Sequence, residues 1–380
     1  TVPEQSVQSG IVRIRVVEGY VDRVRIEADA RTAAAVRSIA KGLHEDRPLR
    51  TSTLERLLGL VRDVPGVIVS DTRLSRSPED PARHQLTITL GANRVRGLLY
   101  SDNHGTIDGA RMRGYSSFSL SSLALPGDQL QVDLFSIPSS DFHFFFGQAK
   151  ASAPLGANGL RLALSASRTS SFQELAGPDQ HGKSRQLIAD LAFPFAKSRA
   201  LSIVGHASLG DWKSQEKIAG TVIQRDRLQV ARAWVEFARV KKTRIDGRIG
   251  LSRGLDLGPA TDSGDPRASR PFGDAEFTKF NADVQVATAL SDRILLRLDT
   301  SAQYSTDSLL APEEFALGGS RIGRAFDFNE ITGDHGIGAM LEISYRLPDA
   351  KRGPRSVEVF GFVDGGGAFR KRASLGLLDE

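Results

Sequence analysis

The sequence predicts an α+β module followed by a long antiparallel β domain, a transmembrane β-barrel rather than a sandwich. Residues 20–95 carry helix and strand periods in the order β-α-α-β-β. From residue 96 onward no segment reads as a helix, and short alternating stretches are separated by loops rich in Gly, Asp, Ser and Pro. Each of those stretches has one apolar and one charged face, which leaves two architectures open until length and charge are weighed.

The module builds up in order. "GIVRIRVVEG" (10–19) alternates Ile11, Arg13, Arg15 and Val17 against Val12, Ile14 and Val16, and reads as a strand ended by Gly19. "YVDRVRIEAD" repeats the pattern with Val21, Val24 and Ile26. "ARTAAAVRSIAKGL" is Ala-rich and spaces Ala35, Ile39 and Leu43 at helical intervals. After Pro48, "TSTLERLLGLVRDV" opens on Ser/Thr caps and lines up Leu54, Leu57, Leu58 and Val61 as a second helix. "PGVIVSDTRLS" and "HQLTITLGAN" are two further strands. About 75 residues are enough for such a unit to bury a core.

Beyond residue 95 the parity of the side chains is informative. "ARAWVEFARV" sets Arg232 and Glu236 against Ala233, Val235 and Phe237. "TRIDGRIGL" sets Arg244, Asp246 and Arg248 against Ile245, Ile249 and Leu251. Arg297 and Asp299 oppose Leu296 and Leu298, while Glu342 and Arg346 oppose Leu341, Ile343, Tyr345 and Leu347. In a soluble sandwich the apolar faces pack together. In a membrane barrel they meet lipid and the charges line the lumen. Three features favour the barrel. The pattern runs for some 285 residues. Most segments are about 9–11 residues, the length of a tilted spanning strand. The charged faces carry both signs.

Composition excludes other classes. There is no cysteine, hence no disulfide or thiolate site. A net charge of +5 does not argue for nucleic acid. No apolar run approaches the ~18 residues of a membrane helix. No nucleotide loop, dinucleotide fingerprint or nucleophile elbow is present. The seven histidines make no metal-ligand spacing, and "GDHG" (333–336) reads as a turn. The expectation is therefore a non-enzyme without cofactor or metal.

Three blocks resemble one family, the outer-membrane transporters of two-partner secretion of the haemolysin secretion/activation type. "VVEGYVDRVRIEAD", "RPL" and "LERLLGLVRDVPGV" resemble its polypeptide-transport-associated (POTRA) domain. "YSDNHGTIDGARMRG" with "LPGDQL" is similar to its first barrel hairpin, and "LGGSRIGRAFDFNEITGDHGIGAMLEISY" to its sixth extracellular loop and the following strand. The resemblance implies the tail of a preceding POTRA-like module at 1–19, a POTRA domain at 20–95 and a barrel at 96–380. It implies sixteen strands, of which about three closing ones would lie beyond this chain. Gly318 and Gly319 would precede a loop tip made of Arg324, Ala325 and Phe326, with Ala325 where the family has glycine. The partner would be Asp364 of a Phe-x-Asp-x-Gly strand formed by Phe362, Asp364 and Gly366, held by a two-pronged guanidinium–carboxylate pair. Parity agrees, since Glu358, Phe362 and Asp364 share one face. The implied function is export of an unfolded, β-rich, haemolysin- or adhesin-like partner across a bacterial outer membrane, with the POTRA region in the periplasm and lipid around the barrel. Neither nucleic acid nor nucleotide is involved. The alternative within the same superfamily is a factor that assembles and inserts outer-membrane barrels.

Overall fold

The structure, a computed structural model, describes residues 17–103, 112–139, 142–174, 177–347 and 357–371. The expected first strand at 10–19 lies largely outside the described residues, and its last three, Val17 to Gly19, have no regular structure.

The module contains β1 (Tyr20–Glu27), α1 (Ala30–Lys41), a 3₁₀ turn (Gly42–Glu45), α2 (Thr51–Arg62), β2 (Val67–Arg76) and β3 (Arg83–Ala92). Strand β3 is central, parallel to β1 and antiparallel to β2. Asp29 caps α1: its carboxylate accepts the N–H groups of Arg31 and Thr32 at 3.1 and 3.2 Å. The Thr32 side-chain hydrogen bond leads the contacts that lower its pKa to about 2. The Ser/Thr cap expected for α2 is not formed. Arg50 is the capping residue, without a side-chain bond, and Asp46 accepts the Arg50 N–H at 2.9 Å instead. Val21, Val36, Leu43, Val61, Leu86 and Ile88 form the core between helices and sheet. Each buried aliphatic side chain contributes about 1.5–3 kcal/mol.

A single antiparallel sheet of 13 strands follows. Its first eleven strands are β4 (Val95–Asp102), β5 (Arg113–Ser121), β6 (Gln129–Ile137), β7 (Phe142–Pro154), β8 (Arg161–Gln173), β9 (Gln180–Lys197), β10 (Leu201–Ile218), β11 (Thr221–Val240), β12 (Thr243–Leu255), β13 (Thr278–Ala289) and β14 (Ile294–Ser305). After a long loop that holds the short pair β15 (Phe315–Leu317) and β16 (Ile331–Gly333), the sheet ends with β17 (His335–Arg346) and β18 (Glu358–Phe369). Neighbours in sequence pair throughout, except that β14 joins β17 across that loop. Strands β4 and β18 are the edges, so the sheet is not closed among the described residues. Strands β9 to β11, of 18, 18 and 20 residues, exceed the 9–11 expected from the alternation. They are long because their hairpins stay paired well past one bilayer thickness.

The faces of this sheet decide between the two architectures. Along β17, Gly336, Gly338, Met340, Glu342 and Ser344 are buried, while Ile337, Ala339, Leu341, Ile343 and Tyr345 are exposed. Ile343 is 50% exposed and its neighbour Glu342 8%. A sandwich buries the apolar face. Here the apolar face is bare and the polar face is covered, as a strand between lipid and lumen requires. Among the described residues no helix is long and apolar enough to cross a membrane.

The module sits at one end of the sheet. Arg56 donates to the Phe195 carbonyl at 3.1 Å, and Lys197 pairs with Asp63 at 2.7 Å. The β14–β17 loop lies at the opposite strand ends.

Candidate functional site

The segment between β14 and β17 folds back onto the charged face of the sheet. Its apolar anchors are Phe315, Leu317 and Ile322, which close over Met340 of β17. Between them the chain turns tightly. The Gly318 N–H donates to the Ile322 carbonyl at 3.2 Å, Gly319 N–H to Phe326 at 3.1 Å, and Phe326 N–H to Gly323 at 3.0 Å. Gly318, Gly319 and Gly323 take φ of 115°, 102° and 82°, values open to glycine. Ala325 is not among the positive-φ residues. The missing family glycine therefore costs no backbone strain, because Gly323 carries the turn.

Arg324 sits on this turn, where its Nε donates to the Ser320 carbonyl at 3.2 Å. Its Nη1 donates to Glu342 Oε2 at 2.9 Å. Its guanidinium lies 4.4 Å from the centre of the Phe362 ring, a cation–π contact. Asp364 does not bind the guanidinium, contrary to the expected pairing. Its Oδ2 accepts two backbone N–H groups, from Gly323 at 2.8 Å and Arg324 at 2.9 Å. The reason lies in the register. Asp364 stands opposite Met340, and Phe362 opposite Glu342, so the carboxylate facing the guanidinium is the one on β17. Asp364 and the buried end of the turn form an anion-and-nest contact. Gly366 gives the loop room to approach, since a Cβ there would stand 2.4 Å from the Ile337 carbonyl and 2.8 Å from Leu317. Phe326 is half exposed and does not pack into the site.

The remaining predicted charges fall on this same face. Register aligns Arg232 with Ser252, Glu236 with Arg248, and Asp246 with Gln285. It aligns Arg297 with Glu342, Asp299 with Met340, and Arg346 with Glu358. Some meet and others do not. Arg297 donates to Glu342 at 3.2 Å, so Glu342 holds two arginines. Arg244 pairs with Asp246 on its own strand at 2.5 Å. Arg248 stacks on Trp234 at 4.3 Å rather than pairing with Glu236. Asp299, opposite Met340, is buried.

A second set of contacts, not expected from sequence, fixes the root of the loop. Glu313 is buried and accepts from Arg232 at 3.1 Å, and from Lys279 at 2.7 Å. Burial disfavours its charge, but Lys279 and Arg232 outweigh that and hold its pKa below the usual range. Asp334, read from sequence as a turn residue, is fully buried. It pairs with Arg270 at 2.5 Å and accepts the Leu309 N–H at 2.7 Å. Burial again opposes the charge, and the Arg270 bond with the backbone donors lowers its pKa. Arg321, at the tip, pairs with Asp283 of β13 at 2.6 Å. Only the acidic pair within "APEE" and a second tip arginine hint at these in the sequence, and neither names its partner.

Comparison with known proteins adds to this geometry. The profile of the haemolysin secretion/activation protein family, ShlB/FhaC/HecB, matches residues 86–377. No curated protein matches. Among solved structures, CdiB from Escherichia coli is similar with a TM-score of 0.77 at 18% identity, over 96% of this chain and 69% of that one. CdiB from Acinetobacter baumannii gives 0.70 at 18% identity, over 94% of this chain and 65% of that one. BamA from Haemophilus ducreyi lacking POTRA domains 1–3 gives 0.56 at 12% identity, over 93% and 72%. The chain thus spans about two thirds of the CdiB chains, and at these identities the likeness is one of fold. With the profile matched over most of its length, the chain belongs to the haemolysin secretion/activation family, the outer-membrane β-barrel transporters of two-partner secretion.

Proposed function

We propose that this protein exports a large, β-rich partner of haemolysin or adhesin type across the bacterial outer membrane. Residues 20–95 serve as a POTRA domain in the periplasm. The free edge of β2 takes an extended, unfolded client by strand addition. Residues from 96 onward form the barrel, and the charged face with Arg232, Glu236, Arg248 and Arg297 lines the route. Arg324, Glu342 and Asp364 latch the β14–β17 loop inside it. The observation that carries this reading is the loop itself, folded onto the polar face while the apolar face stays bare. A passive pore has no use for a client-binding module at one end of the sheet.

The test is comparative proteomics of culture supernatant and outer membrane, with and without the gene. Loss of one or two large secreted proteins, with other barrels unchanged, is expected. A broad fall in outer-membrane barrels would instead assign the chain to barrel assembly.

A further inference from the structure

The outward face carries a feature that export does not use. Register places Arg168 of β8 opposite Arg185 of β9, Arg185 opposite Lys213 of β10, and Lys213 opposite Arg227 of β11. Four cations thus stand side by side in one rung across about 14 Å. The next rung away from the module adds Lys183 and Arg225, with Gln215 between them and Ser170 on the far side of Lys183. Directly opposed like charges destabilise a sheet. Among the described residues none of Arg168, Arg185, Arg225, Arg227 or Lys183 has a carboxylate partner. The one acid in these rungs and the next is Asp211, 3.4 Å from Lys213. Together the cations line a shallow recess of about 440 Å³, which the buried Asp226, bonded to the Ser269 N–H, also borders.

Their level on the barrel is informative. These six point to the same side as Leu164, Leu187 and Leu209, which are 55%, 58% and 61% exposed. The Leu187 rung is two residues nearer the module, about 7 Å away, and the Leu164–Ala189–Leu209–Ala231 rung two residues further. The cations therefore sit just beyond the apolar band. Arg185 is also ten residues from Phe195, where α2 docks, about 33 Å along the strand. If the module lies in the periplasm, this is the level of the outer-leaflet headgroups.

We infer that this rung is a binding site for a phosphate-bearing lipid headgroup of the outer leaflet. The headgroup phosphates accept from the guanidinium forks of Arg168, Arg185 and Arg227 and from the Lys213 ammonium, while the acyl chains lie on the leucines below. The inference rests on the membrane placement proposed above.

The full chain is reconstituted in phosphatidylcholine vesicles with and without lipid A, and its unfolding temperature is followed by tryptophan fluorescence. Lipid A should raise that temperature. In R168Q/R185Q/K213Q/R227Q, the lipid A concentration giving half the rise should increase at least about tenfold, since the charge-assisted bonds to the phosphates are lost. R185K alone should retain the rise, and R185E alone should reduce it should the fourfold variant not insert. Equal responses of native and variant proteins would overturn the site. Equal stabilisation by inorganic phosphate on pure phosphatidylcholine vesicles would overturn the lipid as its ligand. A native chain that inserts in both vesicles yet ignores lipid A refutes the site and leaves the barrel reading standing. A chain that resists insertion into either refutes both.

Discussion

At the scale of single residues, Glu342 is the centre of the proposed latch. It is 8% exposed and takes hydrogen bonds from both Arg324 and Arg297. A bond to a charged group contributes about 1.5–3 kcal/mol. Glu342→Gln should therefore loosen the tip by about that amount, seen as faster protease cleavage within 318–330 of the inserted protein. Unchanged cleavage would mean that Glu342 does not hold the loop. Asp364 makes a sharper case. Exchanging the charges in an Arg324→Asp/Asp364→Arg double variant would rescue a pair bonded through its side chains. Here Asp364 binds the backbone N–H groups of Gly323 and Arg324, which no arginine can do. The double variant should secrete no better than either single one, and restored secretion would contradict this backbone anchoring.

At the scale of elements, the loop has a root and a tip with different strengths. The tip pairs are partly open to water: Arg321 is 46% exposed and Arg324 21%. The root is buried, with Lys279 and Glu313 both at 8%. Removing one member of such a buried group strands the other charge at a cost of about 3–5 kcal/mol. Glu313→Gln should lower the unfolding temperature of the barrel markedly, whereas Arg321→Gln should barely move it; equal shifts would refute the distinction. The root should also respond to acid. Glu313 and Asp334 have folded pKa values below the ordinary carboxylate range. The stability they supply is complete above about pH 5, where the unfolded carboxylates are ionised too, and lost as pH falls through the lower folded values. Hydrogen exchange at Leu309, whose N–H Asp334 holds, should report that loss.

These elements differ in how far the sequence reveals them. Strands β11 to β14 and β17 are legible because alternation is a local signal, and α1 and α2 because their apolar spacing is. The tip is legible in part: Arg324 and Asp364 stand out as candidate partners. That the guanidinium would choose Glu342 depends on which residues of β17 and β18 stand opposite, and register is a tertiary property. The root is out of reach, because Arg232 and Glu313 lie 81 positions apart and Arg270 and Asp334 lie 64 apart. Nothing local pairs them.

At the scale of the whole molecule, the proposed latch, export route and lipid contact all rest on one organisation: a sheet with one face to water and the other to lipid. The absence of cysteine makes that claim directly measurable. Val235 and Glu236 are neighbours in β11 and face opposite sides. Val235→Cys and Glu236→Cys are placed singly in the full-length protein and exposed, in outer membranes, to a water-soluble maleimide that does not enter lipid. Labelling is expected at position 236 and protection at position 235. Equal labelling at both positions would mean a sheet wet on both faces, and the membrane barrel would be the wrong description of this chain.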